Sequence, residues 1–345
     1  MERRTFIGHG LALAAGASLT ASIARAQGAN RIVVANWGGD WNDRTVRHVE
    51  APLLESKGYT VVRDLNEQPQ RQAKLIAERQ LPRGTTDVNH FGESEAHFLS
   101  INDALETLDY ARIPNSATLQ PGMRRPYFLP WLYSSWEIVY NPAKVGDLTG
   151  SLMDLWNPKY KGKVGVMDQN YPSSMQAASL VSSGRMNDFD GAKRALLEWK
   201  KAVAPKVVPS HQQAAAALKA EDIWLVANYR ARGLQWQKDG LNVRTMYPKE
   251  GGITTVFGAV IPRRAANKEG AYVYLNALID PVAMRGLCAE NFYTPSNTAV
   301  TMPNDLGTKI AYTESQRATL KHWDYGYWAS NQAIWLDWWK KEFLG

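Results

Sequence analysis

The stretch Arg31-Ile32-Val33-Val34-Ala35-Asn36, followed by Trp37-Gly38-Gly39-Asp40, decides how the rest of the chain is read. A short run rich in β-branched side chains predicts a strand, and the two glycines break it. A helical pattern then covers 42–56 and stops at Gly58; 59–63 reads as a second strand, 67–79 as a second helix, and 87–91 as a third strand ending at Gly92. This βαβαβ alternation predicts an α/β fold with a parallel sheet, helices on both faces, and a cleft at the carboxyl ends of the strands.

The same grammar continues downstream. Residues 131–140 are extended and aromatic, and 163–167 form a compact strand followed by the polar loop Asp168-Gln169-Asn170-Tyr171-Pro172-Ser173-Ser174. A helix is expected to start near Ser173 or Ser174, its hydroxyls capping it and its free N–H groups suiting a carboxylate. Helices over 190–202 and 211–220 and a strand over 222–227 complete a second α/β unit, and Asn228-Tyr229-Arg230 follow at its end. A chain of 345 residues, 45% hydrophobic, can bury a large core and is expected to divide in two.

The first residues have a different character. Arg3 and Arg4 precede Phe6 and Ile7, a mildly apolar stretch broken by Gly8, Gly10 and Gly16 follows, and Ala24-Arg25-Ala26 closes it. Basic, apolar and small-x-small regions in that order predict an export signal over 1–26, and the twin arginines resemble a Tat signal. Its removal takes away three arginines and one glutamate, so the formal charge falls from +7 to +5. The remaining Lys/Arg residues occur as scattered pairs, which argues against nucleic acid as a partner. With Cys288 the only cysteine and six dispersed histidines, neither an internal disulfide nor a resident metal or cofactor is expected.

Several segments together resemble one family. The block Tyr247-Pro248-Lys249-Glu250-Gly251-Gly252, a strand over 257–262, Ala266-Asn267-Lys268-Glu269-Gly270-Ala271, Asp280-Pro281, and Tyr293-Thr294-Pro295-Ser296-Asn297 occur in the order seen in periplasmic solute-binding proteins of the spermidine/putrescine type. The resemblance implies a type II periplasmic-binding-protein fold, two α/β lobes joined by a two-crossing hinge. It assigns 27–136 plus 257–300 to lobe 1 and 137–256 plus 301–345 to lobe 2, with hinge segments at 133–140 and 254–258. The implied protein is not an enzyme. It would be a periplasmic monomer that captures a small polar nitrogen-containing solute and delivers it to the membrane permease of an ABC importer. An exported α/β hydrolase is the alternative, although a Gly-x-Ser-x-Gly elbow is missing.

The expected site gathers strand-end residues. Trp37 would stack on ligand, Gly38 would let backbone approach it, and Asp40 either joins them or caps the next helix. Phe91 and Glu93 follow the third strand, and Tyr133 lies in the first hinge segment. The resemblance puts Asp168 on the acidic position that holds a ligand amine, with Asn170 and Ser173 beside it. Asn228, Thr255 and Phe257 stand where polyamine-binding members carry tryptophan, tryptophan and aspartate, which weakens a polyamine assignment. Arg230 could pair with a ligand carboxylate, making the ligand zwitterionic. Tyr293 matches a family aromatic in the cleft. The aromatic run Tyr325, Tyr327, Trp328, Trp335, Trp338 and Trp339 reads as a packing stripe.

Overall fold

The structure is a computed structural model that describes residues 30–303 and 305–345; the expected export signal and its cleavage point near Ala26 lie outside the described residues. The opening unit folds as its pattern requires. β1 (Arg31–Asn36) lies parallel between β2 (Thr60–Leu65) and β3 (Val88–Gly92). The helix after β1 starts earlier than expected, at Gly39, because Gly39 takes a left-handed φ of 61° and turns the chain at once. It runs on through 46–50 and 51–53, and Gly58, at φ 83°, ends the following turn.

The sheet is mixed where wholly parallel pairing was expected. β4 (Leu129–Tyr140) is buried along almost its whole length, and β9 (Ile253–Val260) pairs antiparallel with both β3 and β4. On the far side β5 (Val164–Met167) lies parallel between β6 (Lys206–Val208) and β7 (Leu225–Tyr229). The continuous order is β2-β1-β3-β9-β4-β7-β5-β6, with β8 (Arg244–Met246) and β10 (Thr294–Pro295) also pairing with β4. β4 changes partners along its length: Leu129 to Trp136 face β9, whereas Trp136 to Tyr140 face β7. One long strand therefore stitches two α/β halves, each with a parallel trio at its outer edge.

The cores follow this division. Ile32, Val34, Val88, Tyr274, Leu275 and Met284 belong to one cluster around the β1 half, and Val164, Val166, Met175, Leu196 and Trp199 to another around the β5 half. At about 25 cal/mol per Å² of apolar surface removed from water, such clusters are the main stabilising term. The C-terminal segment serves both halves. Ile310 packs with the Ile32 cluster and Tyr312 with Phe91 and Tyr133, while Trp335, Trp338, Trp339 and Phe343 join the Trp199 cluster. Between them Lys321 pairs with Ile253 at the start of β9, so 305–323 runs alongside the two strand crossings and is not confined to the second half.

Candidate functional site

A cleft of about 300 Å³ opens where the carboxyl ends of β2, β3, β5 and β7 converge. Crossing two outward-diverging parallel trios at one long strand leaves their loops facing each other, the position where α/β sheets bind ligands. One wall carries Gln68, Gly92, Glu93, Ser94 and Glu95; the facing wall carries Gln169, Asn170, Pro172, Ser173 and Tyr229. Thr254, Thr255, Val256 and Phe257 of β9 line the cleft, and Trp323, Tyr325 and Trp328 from the C-terminal segment complete its lining.

The two acids differ in how they are engaged. Glu93, 7% exposed, is ion-paired with the Arg125 guanidinium and accepts a hydrogen bond from the Tyr325 hydroxyl at 3.1 Å. Glu95 accepts from the Ser94 hydroxyl at 2.7 Å, and its other oxygen lies back over Gly92, 2.5 Å from where a Cβ would stand. Glycine at 92 thus leaves room for the carboxylate. Opposite, the Asn170 amide donates to the Tyr229 hydroxyl at 2.9 Å, while its carbonyl oxygen is buried without a protein partner. Trp323 is fixed by its indole N–H donating to the Thr254 carbonyl at 2.9 Å, its ring parallel to Tyr325 at 6.5 Å. Burial pushes the Tyr229 hydroxyl far above its ordinary range, so it stays a neutral donor.

Of the expected site residues, Glu93, Asn170, Ser173, Thr255 and Phe257 line this cleft. The others sit elsewhere, for identifiable reasons. Trp37 is half-buried edge-on to Phe257, ring centroids 6.0 Å apart, with the Arg71 guanidinium 4.7 Å from its ring. Gly38 is the exposed residue before the first helix, and Asp40 is exposed and ion-paired with Arg44 one turn on at 3.2 Å; its side chain does not cap. Phe91 is fully buried beneath Arg71. Tyr133 stacks on Tyr312 at 5.6 Å, and Tyr293 is buried against Phe257 and Trp41. Asp168 accepts from the Trp339 indole N–H at 2.9 Å, so the C-terminal segment holds the carboxylate expected to bind an amine. Asn228 is fully buried inside β7, which begins and ends later than expected, and caps the Tyr229 N–H.

Both groups expected to receive a ligand carboxylate are occupied. Arg230, 6% exposed, donates through Nε to Glu137 at 2.8 Å and through a terminal nitrogen to the Ala311 carbonyl at 2.9 Å, with Tyr312 4.0 Å from its charge. The helix of the Asp168 loop starts at Tyr171, not at Ser173 or Ser174. Pro172 has no N–H, and the Ser173 and Ser174 N–H groups turn back to the Asn170 carbonyl at 3.0 and 3.3 Å. The aromatic run at the C-terminus is largely the expected packing stripe, Trp335, Trp338 and Trp339 buried with Tyr327 and Trp328 against them, but Tyr325 and Trp328 also line the cleft with Trp323. Gln68, Ser94, Glu95, Gln169, Pro172, Tyr229, Thr254, Val256, Trp323, Tyr325 and Trp328 were not among the expected residues. Glu95 carried a signal, two positions beyond Glu93 at a helix start after a strand end. Among the described residues no group of three or more His, Cys, Asp or Glu side chains is placed to hold a metal ion, and no helix is long and apolar enough to cross a membrane.

Two α/β halves stitched by a long shared strand, with a cleft between their strand ends, define the two-lobed class of solute-binding folds. Solved structures agree: an ABC transporter protein from Clostridium perfringens superposes with a TM-score of 0.78 at 20% identity, covering 90% of this chain and 99% of that one. The PBP MotA from A. tumefaciens B6, in complex with glucopine, gives 0.72 at 20% identity over 89% of this chain and 98% of its own. Residues 96–331 match the profile of the bacterial extracellular solute-binding proteins, and the chain belongs to that family. Among characterised relatives, the spermidine/putrescine-binding periplasmic protein of Escherichia coli is 25% identical over 237 residues, 64% of this chain. That match spans 66% of the relative's length, just under two thirds.

Proposed function

We propose that the chain is the periplasmic solute-binding component of an ABC importer, acting as a monomer that closes two lobes over a small cationic, nitrogen-containing organic solute and presents it to the permease subunits. The proposed lobes are 27–136 plus 257–300 and 137–256 plus the C-terminal helix, with β4 and β9 as hinge and 305–323 beside it. The observation that carries the reading is the cleft itself: two carboxylates on one wall, aromatic rings around it, and hydrogen-bonding amides and hydroxyls opposite. Desolvating a cation is costly unless it is paired, and carboxylates with ring faces supply that pairing.

Arg230 and the helix start after Asp168 are already engaged, so a zwitterionic, amino-acid- or opine-like solute would set its carboxylate against other groups of the cleft. The hydrolase alternative finds no support in the family or the fold, and the cleft lining includes no histidine or cysteine among the described residues. Capture without turnover is the proposal.

Native mass spectrometry of the purified protein tests it, followed by thermal unfolding with the released compound. A ligand at a hundredfold excess over its Kd adds about 2.7 kcal/mol to stability. The expected result is a stabilising amine recovered unchanged; conversion of the compound, or retention of a neutral oligosaccharide alone, refutes the proposal.

A further inference from the structure

We infer that Glu95, and not Glu93, is the carboxylate that receives the solute's ammonium group, and that the cleft selects a solute with one cationic end and one neutral hydrogen-bonding end, such as an amino alcohol or a diamine acylated at one nitrogen. This rests on the proposed role as a solute-binding protein and specifies its substrate class.

The charges around the cleft decide the point. Among the described residues, Glu93 and Glu95 are the only ionisable acids or bases other than tyrosine in the lining, and Glu93 is spent on Arg125 and the Tyr325 hydroxyl. Once Arg125 is counted against Glu93, Glu95 is the lining carboxylate without an ion pair; the buried Arg71 guanidinium acts on it electrostatically without bonding it. The Glu95 carboxylate is bound only by a neighbouring hydroxyl, beside the bare backbone of Gly92. A second ammonium at the far end of the solute would meet Gln169, Asn170, Ser173, Thr254 and Thr255, all neutral. Neutral acceptors replace part of its hydration, but none of them carries a charge to pair with it, and Asp168 before Gln169 is held by the Trp339 indole outside the lining; a desolvated unpaired cation is strongly disfavoured. A carboxylate there fares no better, because Arg230 is held by Glu137. A hydroxyl or amide suits that wall: it can donate to and accept from the Gln169, Ser173 and Thr255 side chains, all of which line the cleft.

The test is isothermal titration of the purified protein with four probes of one chain length: 1,4-diaminobutane, 4-aminobutan-1-ol, N-acetyl-1,4-diaminobutane and 4-aminobutanoate. The amino alcohol or the acetylated diamine is expected to bind at least about tenfold more tightly than the diamine and the amino acid, the scale of one charge-assisted hydrogen bond. Glu95→Gln, which keeps the shape, should weaken the best probe about tenfold or more. Gly92→Ala, which keeps the charge but crowds the carboxylate, should weaken it with circular dichroism and melting temperature little changed. Tightest binding by the diamine or the amino acid overturns the inference, as does an affinity indifferent to Glu95→Gln in a folded variant. If none of the four binds, the inference also falls; retention of some other solute by the purified protein would then leave the capture role standing, and the absence of any would remove that too.

Discussion

Arg230 was the residue whose sequence context argued for gripping a ligand carboxylate, and replacing it by leucine separates that role from the one the structure gives it. Its guanidinium lies 2.8 Å from Glu137, and the two side chains are 8% and 1% exposed. Arg230→Leu therefore leaves a buried carboxylate with one remaining polar partner, the Ser135 hydroxyl at 2.5 Å. Removing one member of a buried pair costs about 3–5 kcal/mol, a large part of the roughly 5–15 kcal/mol that holds a typical domain together. Replacing both, Glu137→Leu with Arg230→Leu, removes the unpaired charge and should restore most of the loss, since well-packed apolar residues often match a buried ion pair.

The deficit should also depend on pH. Burial holds the Glu137 carboxyl above the ordinary range while Arg230 pulls it down, with burial the larger effect. Without Arg230 the folded-state value rises further. A raised acid favours its neutral form in the folded state, so the stability it allows is present below the unfolded value near 4.3 and is lost as pH rises through the folded value. Urea unfolding of wild type, both single variants and the double variant, followed by tryptophan fluorescence at pH 5 and pH 8, measures each quantity. The Arg230→Leu deficit should be larger at pH 8, and the double variant should recover at least about 2 kcal/mol of it. A deficit below about 1 kcal/mol at pH 8, accompanied by lost solute binding, would refute the structural role and return Arg230 to the ligand.

The C-terminal aromatics should split into two kinds. Trp335→Ala removes a fully buried ring stacked on Phe189 at 5.2 Å and should cost about 3–5 kcal/mol in chemical unfolding, whereas Trp323→Ala should act mainly on solute affinity by titration. Gly258→Ala would drive a Cβ into the Leu129 carbonyl oxygen, backbone that cannot yield within the β4–β9 ladder; a loss of about 1–3 kcal/mol or more is expected in thermal unfolding. Cys288 is fully buried and burial pushes its thiol far up, so the native protein should resist iodoacetamide at pH 8 while the urea-unfolded chain is alkylated, as intact-mass measurement would show.

The fold was legible because its signals are local and repeated. β-branched or valine-rich runs located β1, β2 and β5, and Gly92 the end of β3, to within a residue or two, since each strand end is fixed by chemistry adjacent in sequence. β7 was displaced because Asn228 and Tyr229 read as loop residues, yet pairing with Glu137 and Trp136 of β4 keeps them extended. The antiparallel β9 could not be told from a parallel strand, because direction is set by the chain's return path and not by composition. Glu93, Asn170 and Ser173 line the cleft as residues just past strand ends, whereas Thr255 and Phe257 lie inside β9 and were reached through the family resemblance at the second hinge.

Two of the expected residues that do not line the cleft share one cause, a partner far away in sequence. Arg230 meets Glu137 across 93 positions, and Asp168 meets Trp339 across 171. An isolated strand-end arginine or aspartate looks the same whether its counter-group is a solute or the protein's own distant strand, because the exposed loop geometry is identical and only the long-range pairing differs. The aromatic run at the C-terminus shows the converse. Spacing recorded that the rings recur, but the segment spans from cleft to core, so Trp323, Tyr325 and Trp328 border solvent while Trp335 and Trp339 do not. What separates a binding residue from a structural one here is whether the protein already pairs its charge and whether it borders the cleft. By that criterion Arg230 and Glu93 are spent on ion pairs, Asp168 and Glu95 each hold one neutral donor, and of these last two Glu95 is the one that lines the cleft and is proposed to meet the solute.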